Sequence, residues 1–216
     1  MFEKLKYFIR RPLQVPVVLL VKVIPYFRFI RETADYQYRI NFEFWFKQKV
    51  LNFGGNRRVY WPVHWSSQVY DVENIVVGID AYPGYSRGCY IQGKGSITIG
   101  DYTQIAPNVI IVSANHDVYD NRVHIPEPVK IGKYCWIGGG AKIMPGVELG
   151  DWTIVAAGAV VTKSFPEGHA VIGGVPAKWI KDLDKSKCIP FHNEVAYNGY
   201  VKTDQFDRYR KKKLKV

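Results

Sequence analysis

Between residues 129 and 165 the aliphatic side chains recur at every sixth position: Ile131, Ile137, Ile143, Leu149, Val155 and Val161. Four places after each stands a small or short residue, Cys135, Ala141, Val147, Thr153 and Ala159. Gly or Ala often follows the aliphatic directly, as at Gly132, Gly138, Gly150 and Ala156. Helices repeat at about 3.6 residues and strands at about 2, so a period of six belongs to neither alone. It is met if each unit is a short strand plus a bend and three units close one triangular coil. The large aliphatic then points inward and the small residue fits the corner. Coils stack at strand spacing, roughly 4.8 Å, and pair in parallel. The pattern predicts a mainly β solenoid in which each repeat is stable only against its neighbours.

The period is first legible at Val77-Gly78 with Ala81. It blurs from 83 to 96, where Gly84, Gly88, Gly93 and Gly95 predict bends or close backbone approach, and resumes at Ile99, Ile105 and Ile111, with Thr103 and Val109 at the corners. The next unit is Ile125 with Val129, fourteen residues after Ile111, so eight residues are extra. This excursion, roughly 117–124, predicts a polar arm bearing Asp117, Asp120, Arg122 and His124. Loops inserted into rigid scaffolds are where function concentrates.

Outside the repeat the chain reads differently. Residues 2–11 alternate apolar and basic positions at helical spacing, and 13–30 are apolar but broken by Pro16 and Pro25. That stretch is a poor membrane span, which needs about twenty apolar residues. No signal-peptide cleavage site follows it. Two readings stay open: helices that cap the first coil, or a surface helix pair whose Lys and Arg snorkel to lipid headgroups. The aromatic run 36–50 is ambiguous between helix and strand. Segments 59–65 and 69–72 predict short strands, 177–187 a short helix, and 203–213 a basic helix or tail. The divisions are an N-terminal cap over 1–70, the coiled domain over 71–180, and a C-terminal helix and basic tail over 181–216.

With 216 residues, 47% of them hydrophobic, the chain can bury one main core. Cys89, Cys135 and Cys188 are odd in number and widely spaced, which fits reduced thiols of a cytoplasmic protein. The net charge of +11 is unevenly placed: ten Lys or Arg against four acids in residues 1–50, seven against two in 201–216, and thirteen against thirteen between. A nucleic-acid reader carries its basic stripe on the folded body, so this distribution argues against one. Basic ends suit an anionic membrane leaflet, or serve only as solvated tails.

Four motifs carry a resemblance: Ile-Ala-Pro-Asn at 105–108, Asn-His-Asp at 115–117, Trp-Ile-Gly-Gly at 136–139 and Gly-Gly-Val-Pro-Ala-Lys at 173–178. Together with the repeat they resemble the hexapeptide-repeat acyltransferases, similar to sugar and polysaccharide O-acetyltransferases, over about half the chain. The resemblance implies a left-handed parallel β-helix, a homotrimer, and transfer of an acyl group from a coenzyme A thioester, with acetyl-CoA as co-substrate and no metal. The hand comes from the resemblance, because ordinary crossovers are right-handed.

Thioester transfer to a hydroxyl needs a base active near neutral pH, which suits histidine. Of five histidines, His116 stands where the repeat opens into the arm, and the resemblance puts the catalytic histidine in this Asn-His context. Asp117 or a backbone carbonyl would fix its tautomer. By the same resemblance Gln92 falls where related sugar acetyltransferases carry an acceptor-binding Asn. Trp136 is an outward residue for the acyl channel or a trimer interface, and His124 is an arm residue for the acceptor. Gly139, Ala157, Thr162 and Lys163 would line the pantetheine, and Lys178 and Lys181 would meet the coenzyme A phosphates. The leading acceptor is a saccharide hydroxyl, and the basic apolar ends alone suggest surface polysaccharide biosynthesis at the cytoplasmic face of a membrane. Serine or an amino sugar as acceptor, and a non-catalytic trimeric scaffold, remain open. A zinc hydratase would need three histidines at a subunit boundary, and a third well-placed one is missing.

Overall fold

The computed structural model describes residues 23–216. The six-residue period is met by three parallel sheets of two- and three-residue strands. The first wall stacks Gln68–Tyr70, Tyr90–Gln92, Ile110–Val112, Lys142–Ile143 and Val160–Val161. The second holds Ile75–Val77, Ile97–Ile99, Val129–Ile131 and Glu148–Leu149. The third holds Gln104–Ile105, Trp136–Ile137, Ile154–Val155 and Ala170–Gly174. The chain visits the walls in rotation and returns to each eighteen residues later, as Lys142 pairs with Val160, Trp136 with Ile154 and Lys130 with Glu148. All six aliphatics of the central run are at most 3% exposed, and the small residues between them are as deeply buried. Ile91, Ile111, Ile143 and Val161 pair in register, forming one internal column.

The bends share a backbone device. A left-handed residue recurs every six positions, at Ser96, Tyr102 and Asn108 before the arm and at Tyr134, Gly140, Gly146, Trp152 and Gly158 after it. Glycine takes this conformation freely, and a bulky side chain does so at a cost of about 1–3 kcal/mol. The bulky cases all fall at the corner between the second and third walls, where they stack: Tyr102 on Tyr134 at 5.3 Å and Tyr134 on Trp152 at 4.5 Å between ring centroids. Phe191 closes over the first two at 4.8 and 5.6 Å. Ring pairs contribute about 0.5–1.5 kcal/mol each, so the stack offsets part of the backbone strain. At the start of the same corner the coils nearly touch. A Cβ on Gly132 would stand 2.5 Å from the backbone nitrogen of Asp151.

Before the coil, Arg28–Glu32 and Phe42–Trp45 are helical, and the latter continues through Val50 with a wider turn. The ambiguous run is therefore helical over its second half. This region lies on the first turns of the coil. The buried Asp80 carboxylate accepts from the backbone of Gln37 and Tyr38, and Tyr38 donates its hydroxyl to the Ile105 carbonyl at 2.9 Å. The chain end returns to the same place. Asn198 donates to the Val77 carbonyl at 2.9 Å, and the helix Thr203–Lys213 sets Phe206 against Tyr60. Readings that concern residues 1–22 lie outside the described residues. Among the described residues no helix is long and apolar enough to cross a membrane.

Three expectations change. Residues 59–65 form no strand, because the buried Gln48 amide takes up their backbone groups: it donates to the Trp61 carbonyl at 2.9 Å and accepts from the Val63 nitrogen at 3.0 Å. The strand expected over 69–72 is Gln68–Tyr70, followed by a tight turn at Val72–Asn74. Residues 177–187 are not a helix. Ala177–Asp182 is a strand antiparallel to Ala170–Gly174, joined through the Val175-Pro176 turn, and it covers the edge the third wall would otherwise leave unpaired.

Candidate active site

The arm is a hairpin longer than the eight extra residues. Ala114–His116 pairs antiparallel with His124–Pro126, placing His116 directly opposite His124. The sequence explains the turn. The Asp117 carboxylate accepts from the backbone nitrogens of Tyr119 (2.8 Å) and Asp120 (3.0 Å), and Asp120 pairs with Arg122 at 2.8 Å. Asp side chains that bond their own backbone a few residues on are turn formers. Those two N–H groups hold the Asp117 carboxyl below its ordinary range. Its side chain is thereby committed to the turn and makes no bond to the His116 ring.

The imidazole is oriented by backbone instead. His116 Nδ1 bonds to the Asn121 carbonyl, which can only accept, so Nδ1 carries the proton and Nε2 presents a lone pair. The His116 and His124 ring centroids lie 4.3 Å apart. Partial burial, then the charges of Lys94 and His116, push His124 below its ordinary pKa.

The other candidate residues separate by edge. Gln92 lies at the root of the arm: Ser113 donates its hydroxyl to the Gln92 backbone carbonyl at 2.9 Å and its N–H to the Gln92 side-chain oxygen at 3.3 Å. Thr162 and Lys163 follow Val161 at the end of the same first wall, and both are exposed. Gly139 and Ala157 belong to the corner between the third and first walls, where Gly158 donates to the Gly139 carbonyl at 2.8 Å. Trp136 projects from the third wall, 55% exposed, in register with Gln104 and Ile154. Lys178 and Lys181 sit on the strand Ala177–Asp182 beside that wall. One chain therefore gathers Gln92, His116, Asp117, His124, Thr162 and Lys163 along one edge, and leaves Gly139, Ala157, Trp136, Lys178 and Lys181 elsewhere. The reading of the sequence missed the aromatic corner, although Tyr134 and Trp152 are one full coil apart and that spacing marks it. Among the described residues no cluster of His, Cys, Asp or Glu could hold a metal ion.

A three-walled coil of six-residue units, interrupted among the described residues by a hairpin that carries an oriented imidazole, is the architecture of a hexapeptide-repeat protein. Residues 121–163 match the family model described as bacterial transferase hexapeptide (six repeats). Galactoside O-acetyltransferase of Escherichia coli K12 is 33% identical over 142 residues, 64% of this chain and 66% of that protein. Nodulation protein L of Rhizobium meliloti is 45% identical over 109 residues, 49% of this chain and 58% of its own. A galactoside acetyltransferase solved in complex with coenzyme A is similar at 26% identity and a TM-score of 0.49, over 61% of this chain and 72% of that one. The chain belongs to the hexapeptide-repeat acyltransferase family. Its matches to the two curated relatives span less than two thirds of their lengths.

Proposed function

We propose that this chain is an O-acetyltransferase moving an acetyl group from acetyl-CoA to a saccharide hydroxyl, as a homotrimer of left-handed β-helices. The observation that carries the reading is the tautomer of His116, with Nδ1–H held by a backbone carbonyl and Nε2 free as a base. In the proposed step Nε2 takes the proton of the acceptor hydroxyl as its oxygen attacks the thioester carbonyl. The tetrahedral intermediate collapses, the carbon–sulfur bond breaks, and the imidazolium returns the proton to the departing coenzyme A thiolate. Asp117 contributes as a positioning residue by shaping the turn. Gln92 and His124 flank the acceptor. Gly139, Ala157, Trp136, Thr162, Lys163, Lys178 and Lys181 serve the donor.

The separation of these residues over different edges supports the trimer, since a neighbouring copy can bring its donor edge to this copy's arm. The names of the relatives support acetyl transfer to a sugar. The test is thiol release from acetyl-CoA with a panel of saccharide acceptors. His116→Ala should lower turnover by at least ~100-fold with unchanged melting, as loss of a general base does. Turnover within threefold of the parent would refute the assignment.

A further inference from the structure

A cavity of about 280 Å³ lies away from the arm, between the N-terminal helical segment and the first turn of the coil. Its walls are aromatic. Phe44, Phe53, His64 and Trp65 line it, and Trp65 and Phe53 remain 54% and 49% exposed. Its polar lining mixes signs: the Glu43 carboxylate also faces it and is taken up by Lys47, which leaves Arg87 and His64 as the open donors. The Arg87 guanidinium has no ion-pair partner among the described residues, and Lys47 is held by Glu43 at 2.6 Å.

His64 adds a third donor, for a reason readable in its bonds. Gly88 donates to Ser66 Oγ at 3.1 Å, and Ser66 lies 2.8 Å from His64 Nδ1 through its hydroxyl and 3.1 Å through its N–H. An N–H can only donate, so Nδ1 accepts and the ring proton sits on Nε2. Burial and the charges of Arg87 and Lys47 push the His64 pKa down, which keeps the ring neutral. The floor is preformed: Gln48, 2% exposed, is fixed by the Trp61 carbonyl, the Val63 nitrogen and the Tyr200 hydroxyl.

The cavity also lies in line with the donor corner. Asn108 donates to the Arg87 carbonyl, Gly140 to the Pro107 carbonyl and Gly158 to the Gly139 carbonyl. Arg87 therefore stands at the foot of the corner that carries Gly139 and Ala157, about two coils or roughly 10 Å below Gly139.

We propose that this cavity binds a pyranose bearing an anionic group, phosphate or carboxylate, as part of the acceptor; the role as acceptor rests on the acetyltransferase reading. The sugar's C–H face stacks on Trp65, and its anion meets Arg87 and the Nε2–H of His64. Charge-assisted bonds of this kind are roughly twice as strong as neutral ones, so the anion should decide affinity.

The test is calorimetric titration of the full chain with glucose 6-phosphate, glucuronate, glucose and inorganic phosphate. Glucose should bind at least tenfold more weakly than its phosphate or glucuronate, and inorganic phosphate more weakly than glucose 6-phosphate. Whichever anionic sugar binds more tightly identifies the anion. Arg87→Ala should abolish the preference for charge while leaving glucose unchanged, and Trp65→Ala should weaken every sugar about tenfold, with Trp65→Phe partly restoring it. Both positions are exposed, so unchanged melting curves are expected of the variants.

Equal binding of charged and neutral sugars, unaltered binding in Arg87→Ala, inorganic phosphate as tight as sugar phosphate, or no binding at all would each overturn the proposal. Acetyl-CoA is titrated separately. If it binds while the sugars do not, the cavity assignment alone fails. If the sugars bind as expected and acetyl-CoA does not, the transferase reading fails and the cavity stands.

Discussion

The coil and the N-terminal region bury comparable side chains by opposite means. Above the first turns of the coil, strand backbone groups pair with the coil before or after them, so the interior can be largely aliphatic. Even its buried corner hydroxyls stay with the backbone: Thr103 donates to the Gly132 carbonyl and Thr153 to the Gly150 carbonyl, each at 2.7 Å. Residues 24–66 have no repeat to supply partners. Their backbone is irregular, and buried side chains serve it instead: Gln48 bonds the backbone of Asn56, Trp61 and Val63, and Asp80 that of Gln37 and Tyr38, while the Tyr36 and Tyr38 hydroxyls tie the region to the carbonyls of Val195 and Ile105. Aromatic edges fill the remaining space, as where Phe27 meets Trp45 at 4.9 Å and Phe42 at 5.4 Å. The difference teaches that regular pairing frees a core from polar side chains, and its absence makes single side chains indispensable.

This contrast can be attacked from both sides. The largest effect is expected within the coil, where Ile143→Ala opens a void in a stacked column and should cost about 2–5 kcal/mol, read from urea unfolding. A loss under about 1 kcal/mol would mean that the column relaxes and does not behave as a packed core. Gln48→Ala should cost on the order of 3 kcal/mol by stranding several backbone groups and the Tyr200 hydroxyl. Hydrogen exchange should then quicken across residues 24–66 and not in the strands between 129 and 161. Uniform quickening would erase the distinction between the regions.

The smallest effect concerns charge. Burial lowers the Lys49 pKa to about 8, despite its Nζ bond to the Arg57 carbonyl at 2.9 Å. A lysine whose folded pKa is depressed is deprotonated in the folded state first, so stability should rise as pH climbs from about 8 toward the ordinary value near 10.4. Tyr60, Tyr82 and Tyr200 work the other way. Burial raises their pKa values, so the stability they contribute is lost above about pH 10, where the unfolded chain ionises. Urea midpoints between pH 7 and 11 should therefore rise from pH 8 and peak near 9–10, and Lys49→Met should flatten the rising limb. A profile falling from pH 8 onward would contradict the account.

The sequence announced the coil well because its code is periodic: one inward aliphatic per unit, from Ile131 to Val161, survives every local irregularity. The N-terminal region was opaque because its order comes from long-range bonds, such as Gln48 to residues 61 and 63, that no local pattern signals. Residues 177–182 misled for a related reason. Ala, Lys and Trp there suit a helix, yet the open edge of the preceding strand captured them, a tertiary demand that overrides local preference. At the site, the motif pointed to His116 and the arm; the hairpin sets His124 opposite His116, and Gln92 bonds Ser113 at the root of the arm. The turn-forming role of Asp117 was hidden because an Asx turn and a catalytic dyad read alike in one dimension. The cavity at Trp65 and Arg87 was invisible, its residues being twenty-two positions apart with no shared motif.

Because one circuit of the walls takes eighteen residues, changes of length in this chain are quantised. Removing one whole circuit shortens the tower by a storey and leaves every face aligned, whereas removing six residues rotates all that follows by a third of a revolution. Insertions are absorbed without rotation only if they leave and re-enter at the same corner, as the hairpin does. Divergence in such an architecture can lengthen hairpins and add or drop storeys while the three faces keep their orientation.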